Sequence, residues 1–102
     1  MAEDLRTVNT FPHFHNFTGS TTLTEIQLPE ACNTVLVGSI TYPLFVVQNG
    51  GTDGGSVPGN RGFVPKTNYM ELPIGSGLES VQSVYVAVQS GSGDVSIILL
   101  EK

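Results

Sequence analysis

The sequence predicts an all-β domain: an antiparallel β-sandwich of jelly-roll or immunoglobulin-like type, with about seven strands and an extended N-terminal arm. Three observations predict it. No segment repeats its apolar residues with a helical period, short apolar or alternating runs recur along the chain, and each run ends in a turn rich in Gly, Pro, Asn or Ser. Even spacing of such strands is typical of sandwiches and partly closed barrels. The length of 102 residues fits one domain, divided into an arm at 1–20 and a sandwich at 21–102.

Period-two alternation and β-branched residues locate the individual strands. They are predicted at residues 21–28, 34–39, 42–48, 63–64, 68–72, 81–89 and 95–101. Pro29 opens a turn that ends the first of these runs, because proline cannot continue a central ladder. Residues 73–77 form another turn, and the Gly/Ser/Asp stretch at 90–94 predicts a hairpin that joins the last two strands.

Residues 49–62 form the most irregular stretch of the chain. Its glycine density opposes regular structure, since each glycine costs extra backbone entropy to order. Loops of this length inside small domains tend to be functional or disordered. We therefore predict a partner-binding loop with Asn49, Asp53, Asn60 and Arg61 as candidate contacts, Arg61 being its polar anchor.

The arm contains an aromatic segment at residues 10–17. Phe11, Phe14 and Phe17 recur every three residues, and they either pack on the sandwich as core or anchor the arm to a partner, as buried aromatic residues do at interfaces. His13 and His15, two residues apart in an extended segment, lie on one face and could begin a zinc site. No closed zinc motif accompanies them, so the prediction is polar residues on a partner-binding arm, with no metal.

The charge content excludes several classes of protein. Only 13% of the residues are charged, and the net charge is −5 with a pI near 4.6. Nucleic-acid binding needs clustered Lys and Arg, and the four cations here are scattered singly. The single Cys32 rules out an internal disulfide, the acidic N-terminus is unlike a signal peptide, and no apolar run is long enough for a membrane helix. We expect synthesis in the cytoplasm and no membrane partner.

No constellation in the sequence points to an enzyme or a cofactor. The serines near glycines lack the nucleophile-elbow pattern, and the Gly-rich loop lacks the acidic spacing of a calcium site. The phosphate-binding Gly-Lys-Ser/Thr motif is also missing. The expectation is a non-enzymatic protein without a cofactor.

Three phrases carry a family resemblance: residues 28–37 (LPEACNTVLV), 68–73 (NYMELP) and 84–88 (VYVAV), followed by Ser/Gly-rich 90–93 and the terminal run VSIIL at 95–99. With this strand rhythm, residues 23–101 resemble the small β-sandwich virion proteins of tailed bacteriophages, including capsid decoration (cement) and head-fibre proteins. The resemblance implies a non-enzymatic virion protein on the capsid surface, often a homotrimer, with major capsid protein subunits as partners. It carries no catalytic residues to transfer.

Two alternatives stay open at this point. A tail or head–tail connector component would share the same strand rhythm, and a carbohydrate- or receptor-binding β-sandwich module would use the loop at 49–62. The low content of charged residues favours a protein partner, whether the chain belongs to the capsid or to the tail. A surface with few ions is desolvated at low cost when a partner covers it.

Overall fold

The structure is a computed structural model that describes residues 2–48, 50–74 and 83–101. Its elements are all strands, in the order β1 (Glu3–Asp4), β2 (His13–Gly19), β3 (Thr24–Gln27), β4 (Thr34–Gly38), β5 (Leu44–Val47), β6 (Gly62–Val64), β7 (Tyr69–Pro73), β8 (Ser83–Val88) and β9 (Gly93–Leu100). Strands β3 to β9 each overlap a predicted run. The prediction of an all-β sandwich is confirmed.

The strands form two sheets with jelly-roll topology. The five-stranded sheet has the order β1-β3-β8-β5-β6, and the four-stranded sheet has the order β2-β9-β4-β7. The antiparallel pairs β2·β9, β3·β8, β4·β7 and β5·β6 are nested, as in one long hairpin folded over on itself. This nesting defines a jelly roll rather than an immunoglobulin-like sandwich.

Four short connections pass from one sheet to the other, at residues 20–23, 39–43, 65–68 and 89–92. Because each is too short to cross a sheet, the strands that it joins lie opposite one another: β2 faces β3, β4 faces β5, β6 faces β7 and β8 faces β9. Strand β1 pairs in parallel with β3. Because β3 faces β2, the edge strand of the other sheet, β1 makes the five-stranded sheet one strand wider than the four-stranded sheet on this side.

The core fills the space between the two inner faces. Alternate residues of the central strands point inward and are almost completely buried, as period-two patterning requires. From the four-stranded sheet these are Val35, Val37, Val95, Ile97 and Leu99; from the five-stranded sheet they are Ile26, Leu44, Val84, Val86 and Val88. Burial of these β-branched and aliphatic side chains is the dominant favourable term for the fold.

The predicted hairpin between the last two strands is wrong. Strand β8 pairs with β3 and β5, whereas β9 pairs with β2 and β4 in the other sheet. Alternation buries Val84 and Val86 just as it buries Val95 and Ile97, and it does not distinguish neighbours in one sheet from strands that face each other. The Gly/Ser turn, with Gly91 at φ 64°, is therefore a corner between sheets.

The N-terminal residues contribute one strand to each sheet. Strand β2 pairs with β9 over its whole length, from His13 opposite Leu99 to Gly19 opposite Gly93. The physical reason is the exposed edge of β9: without β2, this strand would leave its backbone groups unpaired and Ile97 at the margin of the core. Glu3 Oε1 accepts a hydrogen bond at 2.7 Å from His15 Nε2 and so links β1 to β2 across the layers.

The Gly-rich segment is folded back over the outer face of the five-stranded sheet. The backbones of Leu23, Gly54 and Gly55 exchange two hydrogen bonds of 2.7 and 2.8 Å. A Cβ on Gly51 would lie 2.6 Å from the ring of Tyr85, so only glycine permits this approach. The loop covers a second small apolar cluster of Leu23, Val47 and Ala87, packed with Val57 and Tyr85.

Some predictions fall on residues that the structure does not describe. These are Asn49, the turn residues 75–77, and residues 81–82 at the start of the strand predicted from 81.

Candidate functional site: the outer face of the four-stranded sheet

The outer face of the four-stranded sheet carries an apolar row that crosses three strands. Phe14 on β2 lies opposite Ile98 on β9, which lies opposite Leu36 on β4; Glu71 on β7 completes the row. Residues directly opposite each other share a face, so these side chains are neighbours. Phe14 is 65% exposed, and Leu36 and Ile98 are half-buried. A large, solvated aromatic ring at the end of an apolar row is typical of a binding surface.

The next row of the same face is formed by Asn16, Ser96, Gly38 and Tyr69. The Tyr69 hydroxyl hydrogen-bonds to Ser96 Oγ at 3.0 Å, so the ring reaches from edge strand β7 over β4 to β9. Gly38 makes this possible, because a Cβ there would lie 2.9 Å from the Tyr69 ring and 2.5 Å from the carbonyl oxygen of Asn68. Tyr69 is held flat on the face while remaining 52% exposed.

Replacing Gly38 with alanine is expected to displace Tyr69 and to lower the free energy of unfolding by about 1–3 kcal/mol, since an added methyl group meets backbone and a ring that must both move. Urea denaturation measures the stability, and the ring proton shifts of Tyr69 report its position. Gly59→Ala is the matched control, because a Cβ there meets no atom within 4 Å. Equal stability of the two variants would contradict the packing described.

One corner of the face is built on the carboxylate of Asp94. Asp94 Oδ1 accepts hydrogen bonds from the hydroxyls of Thr41 at 2.8 Å and Ser39 at 3.4 Å, and Oδ2 accepts one from the Ile40 N–H at 3.5 Å. Desolvation raises the pKa of Asp94, but the hydrogen bonds together outweigh it, so that the pKa lies below its ordinary value. This anchor holds the β4–β5 corner in place and presents Ile40, which is 72% exposed.

Asp94 should make stability depend on pH in acid. A carboxyl whose pKa is lower in the folded than in the unfolded chain stabilises the fold above its unfolded pKa, ordinarily 3.8, and that contribution is lost as pH falls through the folded pKa. We expect the free energy of unfolding to fall more steeply below about pH 4 in the wild type than in Asp94→Asn. Asp4, whose hydrogen bonds from Arg6 lower its pKa to about 2, is present in both proteins. Parallel curves in urea titrations at a series of pH values would refute this role of Asp94.

The structure separates the five candidates of the N-terminal segment between two faces. Phe11 and Phe17 are half-buried and pack against the core, while Phe14 points outward. His13 and His15 share the inward side of β2 with Phe17, and the rings of His15 and Phe17 lie 6.0 Å apart. The spacing of three therefore does not put the phenylalanines on one surface, because a strand alternates its faces with a period of two.

The loop candidates are brought to two different places. Asp53 Oδ1 accepts a hydrogen bond of 2.9 Å from the Glu25 N–H and fixes the loop on β3. The Arg61 guanidinium lies 4.4 Å from the ring centroid of Phe45, a cation–π contact, and donates to the Pro58 carbonyl at 3.4 Å. Asn60 and Arg61 line a cleft at the open side of the sandwich.

That cleft has a volume of about 270 Å³ and lies between edge strands β6 and β7. Its lining is mixed. The polar members are Gln48, Asn60 and Arg61, and the apolar members include Val46, Val47, Met70 and Leu72. The exposed Phe63, with its ring centroid 6.0 Å from that of Phe45, lies beside Arg61 and Phe45 on the outer face of the five-stranded sheet.

Several residues of the candidate face were missed by reasoning from the sequence: Leu36, Ile40, Tyr69, Ser96 and Ile98. A signal existed for Ile40, an apolar side chain between two hydroxyl residues in a turn. The others lie far apart in the chain, and only the strand register brings them together.

The described residues contain no group of three or more His, Cys, Asp or Glu that would hold a metal ion. Cys32 is buried, donates its S–H to the Thr34 carbonyl at 3.3 Å, and has its pKa raised by burial, so the thiol is held in its less reactive form. No helix among the residues that the structure describes is long and apolar enough to cross a bilayer.

Comparison with known proteins adds no relative. The chain matches no protein-family model, no curated protein and no solved structure.

Proposed function

We propose that this chain is a non-enzymatic structural protein of a phage virion, a capsid decoration (cement) protein that binds the outer surface of the head. The observation that carries the proposal is the Phe14–Ile98–Leu36 row on the outer face of the four-stranded sheet. The charged side chains of this face are Glu71 and Asp94, and Asp94 is already hydrogen-bonded within the corner. A partner therefore covers mostly apolar and neutral polar groups, which costs little desolvation.

The partner we propose is the major capsid protein, at sites where its subunits meet. A protein that binds the assembled shell more tightly than free subunits stabilises the shell by mass action. Four strands of five to eight residues, at about 3.4 Å per residue and about 4.8 Å apart, form a face on the order of 400 Å². That is about half of the 800 Å² that each partner buries in a standard interface. Binding as a homotrimer would multiply this contact through effective concentration.

The jelly roll is compatible with this role without deciding it. The architecture occurs in viral capsid proteins and also in lectins and cupins. Fold alone does not fix function. The apolar face and the sequence resemblance support the capsid role.

The direct test is binding of the purified protein to heads of the phage that encodes it, freed of their own copies. Sedimentation with heads should show saturable occupancy, with a copy number set by the local symmetry axes, and should raise the temperature at which the heads release their contents. Occupancy of tails instead would favour a tail or connector component. Failure to bind any virion part would refute the proposal.

A carbohydrate- or receptor-binding module is the second candidate, and the cleft beside Arg61 is the observation that favours it. A small apolar pocket with a few convergent polar groups is the usual form of a ligand site. A glycan array with wild type and Arg61→Gln would test it, with Arg6→Gln as the matched control because that guanidinium pairs with Asp4 on the surface. Specific binding that only Arg61→Gln removes would support this function.

A further inference from the structure

Among the residues that the structure describes, β2 is an edge strand without the usual protection. It has seven residues, His13–Gly19, with no Asp, Glu, Lys, Arg or Pro among them, and all seven pair with β9 on one side. On the other side, no strand of the described residues pairs with it. Natural proteins shorten, charge or cover such edges, because unpaired N–H and C=O groups recruit another strand.

The other three sheet edges are protected. Strand β1 has two residues and ends at Asp4, whose carboxylate pairs with Arg6 at 2.9 Å. Strand β6 has three residues and begins at Gly62, and β7 carries Glu71 and ends at Pro73, which has no N–H to donate. The contrast singles out β2 as the edge left open.

The two sheets end unevenly beside β2. Since β2 faces β3, and β1 continues the five-stranded sheet beyond β3, none of the described strands of the four-stranded sheet lies opposite β1. The hydrogen bond between Glu3 and His15 joins the edge strand of one sheet, β1, to the edge strand of the other, β2. An added strand would lie next to β2 and above β1.

The uneven end of the two sheets excludes a second copy of this sandwich as the occupant. If β2 of another copy paired with β2, the β3 that lies beneath it would occupy the space already taken by β1. A single extended segment, which brings no second sheet with it, would not meet this obstacle.

We propose that the free edge of β2 binds an extended segment of a partner protein by β-strand addition. The segment would place about seven backbone hydrogen bonds on His13–Gly19. It would be uncharged or basic, because the chain has a net charge of −5 and the carboxylate of Glu3 on β1 faces β2 at this position. Its outward side chains would continue the face that carries Phe14. The inference stands whether or not the partner is a capsid protein.

The test uses the full chain labelled with ¹⁵N and a soluble peptide that alternates valine and threonine with a lysine at each end, nine residues in all. At saturating peptide we expect amide shift changes along β2 and at β1, and exchange of the outward N–H groups of β2 slowed by at least about tenfold. The same peptide N-methylated at its five central residues is the control, because it has no donors there for the edge.

Strand β7 is the control within the chain, since it is the other edge of the same sheet. Slower amide exchange that is confined to β2, and that is not seen with the methylated peptide, supports the inference. Equal effects at β7, no binding at millimolar peptide, or a dimer of the free protein joined through β2 would each overturn it. These results are independent of binding to heads, so this inference and the proposed function can fail separately.

Discussion

Deleting residues 1–20 is expected to abolish the cooperative unfolding transition. The deletion removes β1 and β2, and with them every backbone partner of β9 on one side. It also removes Leu5, Phe11 and Phe17 from the core and its margin. A domain of this size has a stability of about 5–15 kcal/mol. Truncating one large core side chain costs about 2–5 kcal/mol, so removing three of them together with a paired strand is expected to cost as much as the whole stability.

Circular dichroism during urea or thermal denaturation measures this directly. The full chain should show a sigmoidal transition, and the truncated chain a gradual change with dye binding that reports exposed apolar surface. A truncated protein that unfolds cooperatively near the midpoint of the full chain would mean that the first twenty residues are an arm after all. The experiment therefore also decides how deletions in this segment must be interpreted in binding assays.

Ile97→Ala is expected to lower the free energy of unfolding by about 2–5 kcal/mol, because Ile97 is completely buried between the sheets and its truncation leaves a cavity. The adjacent Ile98→Ala is the matched control: the same substitution on the same strand, but on the outer face. Its expected cost is below about 1 kcal/mol.

Urea denaturation of both variants tests the strand register. Similar decreases in the free energy of unfolding for the two variants would show that β9 does not present alternate residues to the core and to the candidate face. Ile98→Ala has a second use, since it should weaken binding to a partner while leaving the fold intact.

The fold class and the approximate positions of most strands could be predicted from the sequence, because both depend on local patterns. Val35 and Val37, or Val84 and Val86, alternate in a way that only a half-buried strand satisfies. The pairing of strands could not be predicted in the same way. Val86 and Ile97 are equally buried, and whether their strands lie side by side or face each other depends on long-range contacts that alternation does not encode.

The candidate face was predicted only through Phe14. The neighbours of this residue, Leu36 and Ile98, are 22 and 84 positions further along the chain, and they meet it through the register of three strands. The period of three in Phe11, Phe14 and Phe17 was misleading because β structure repeats every two residues. The loop residues Asp53 and Arg61 had recognisable chemistry, but their contacts with Glu25 and Phe45 follow from how the loop folds back.

We propose that the outer face of the four-stranded sheet binds the partner, and two exposed phenylalanines on opposite sides of the molecule allow a direct test. Phe14 is 65% exposed on this face, and Phe63 is 48% exposed on the outer face of the other sheet. Binding of Phe14→Ser to purified heads should weaken by about 10- to 100-fold, as when an aromatic side chain buried in an interface is lost, while Phe63→Ser binds within about threefold of the wild type. Unchanged binding of Phe14→Ser, or an equal loss for Phe63→Ser, would contradict the account.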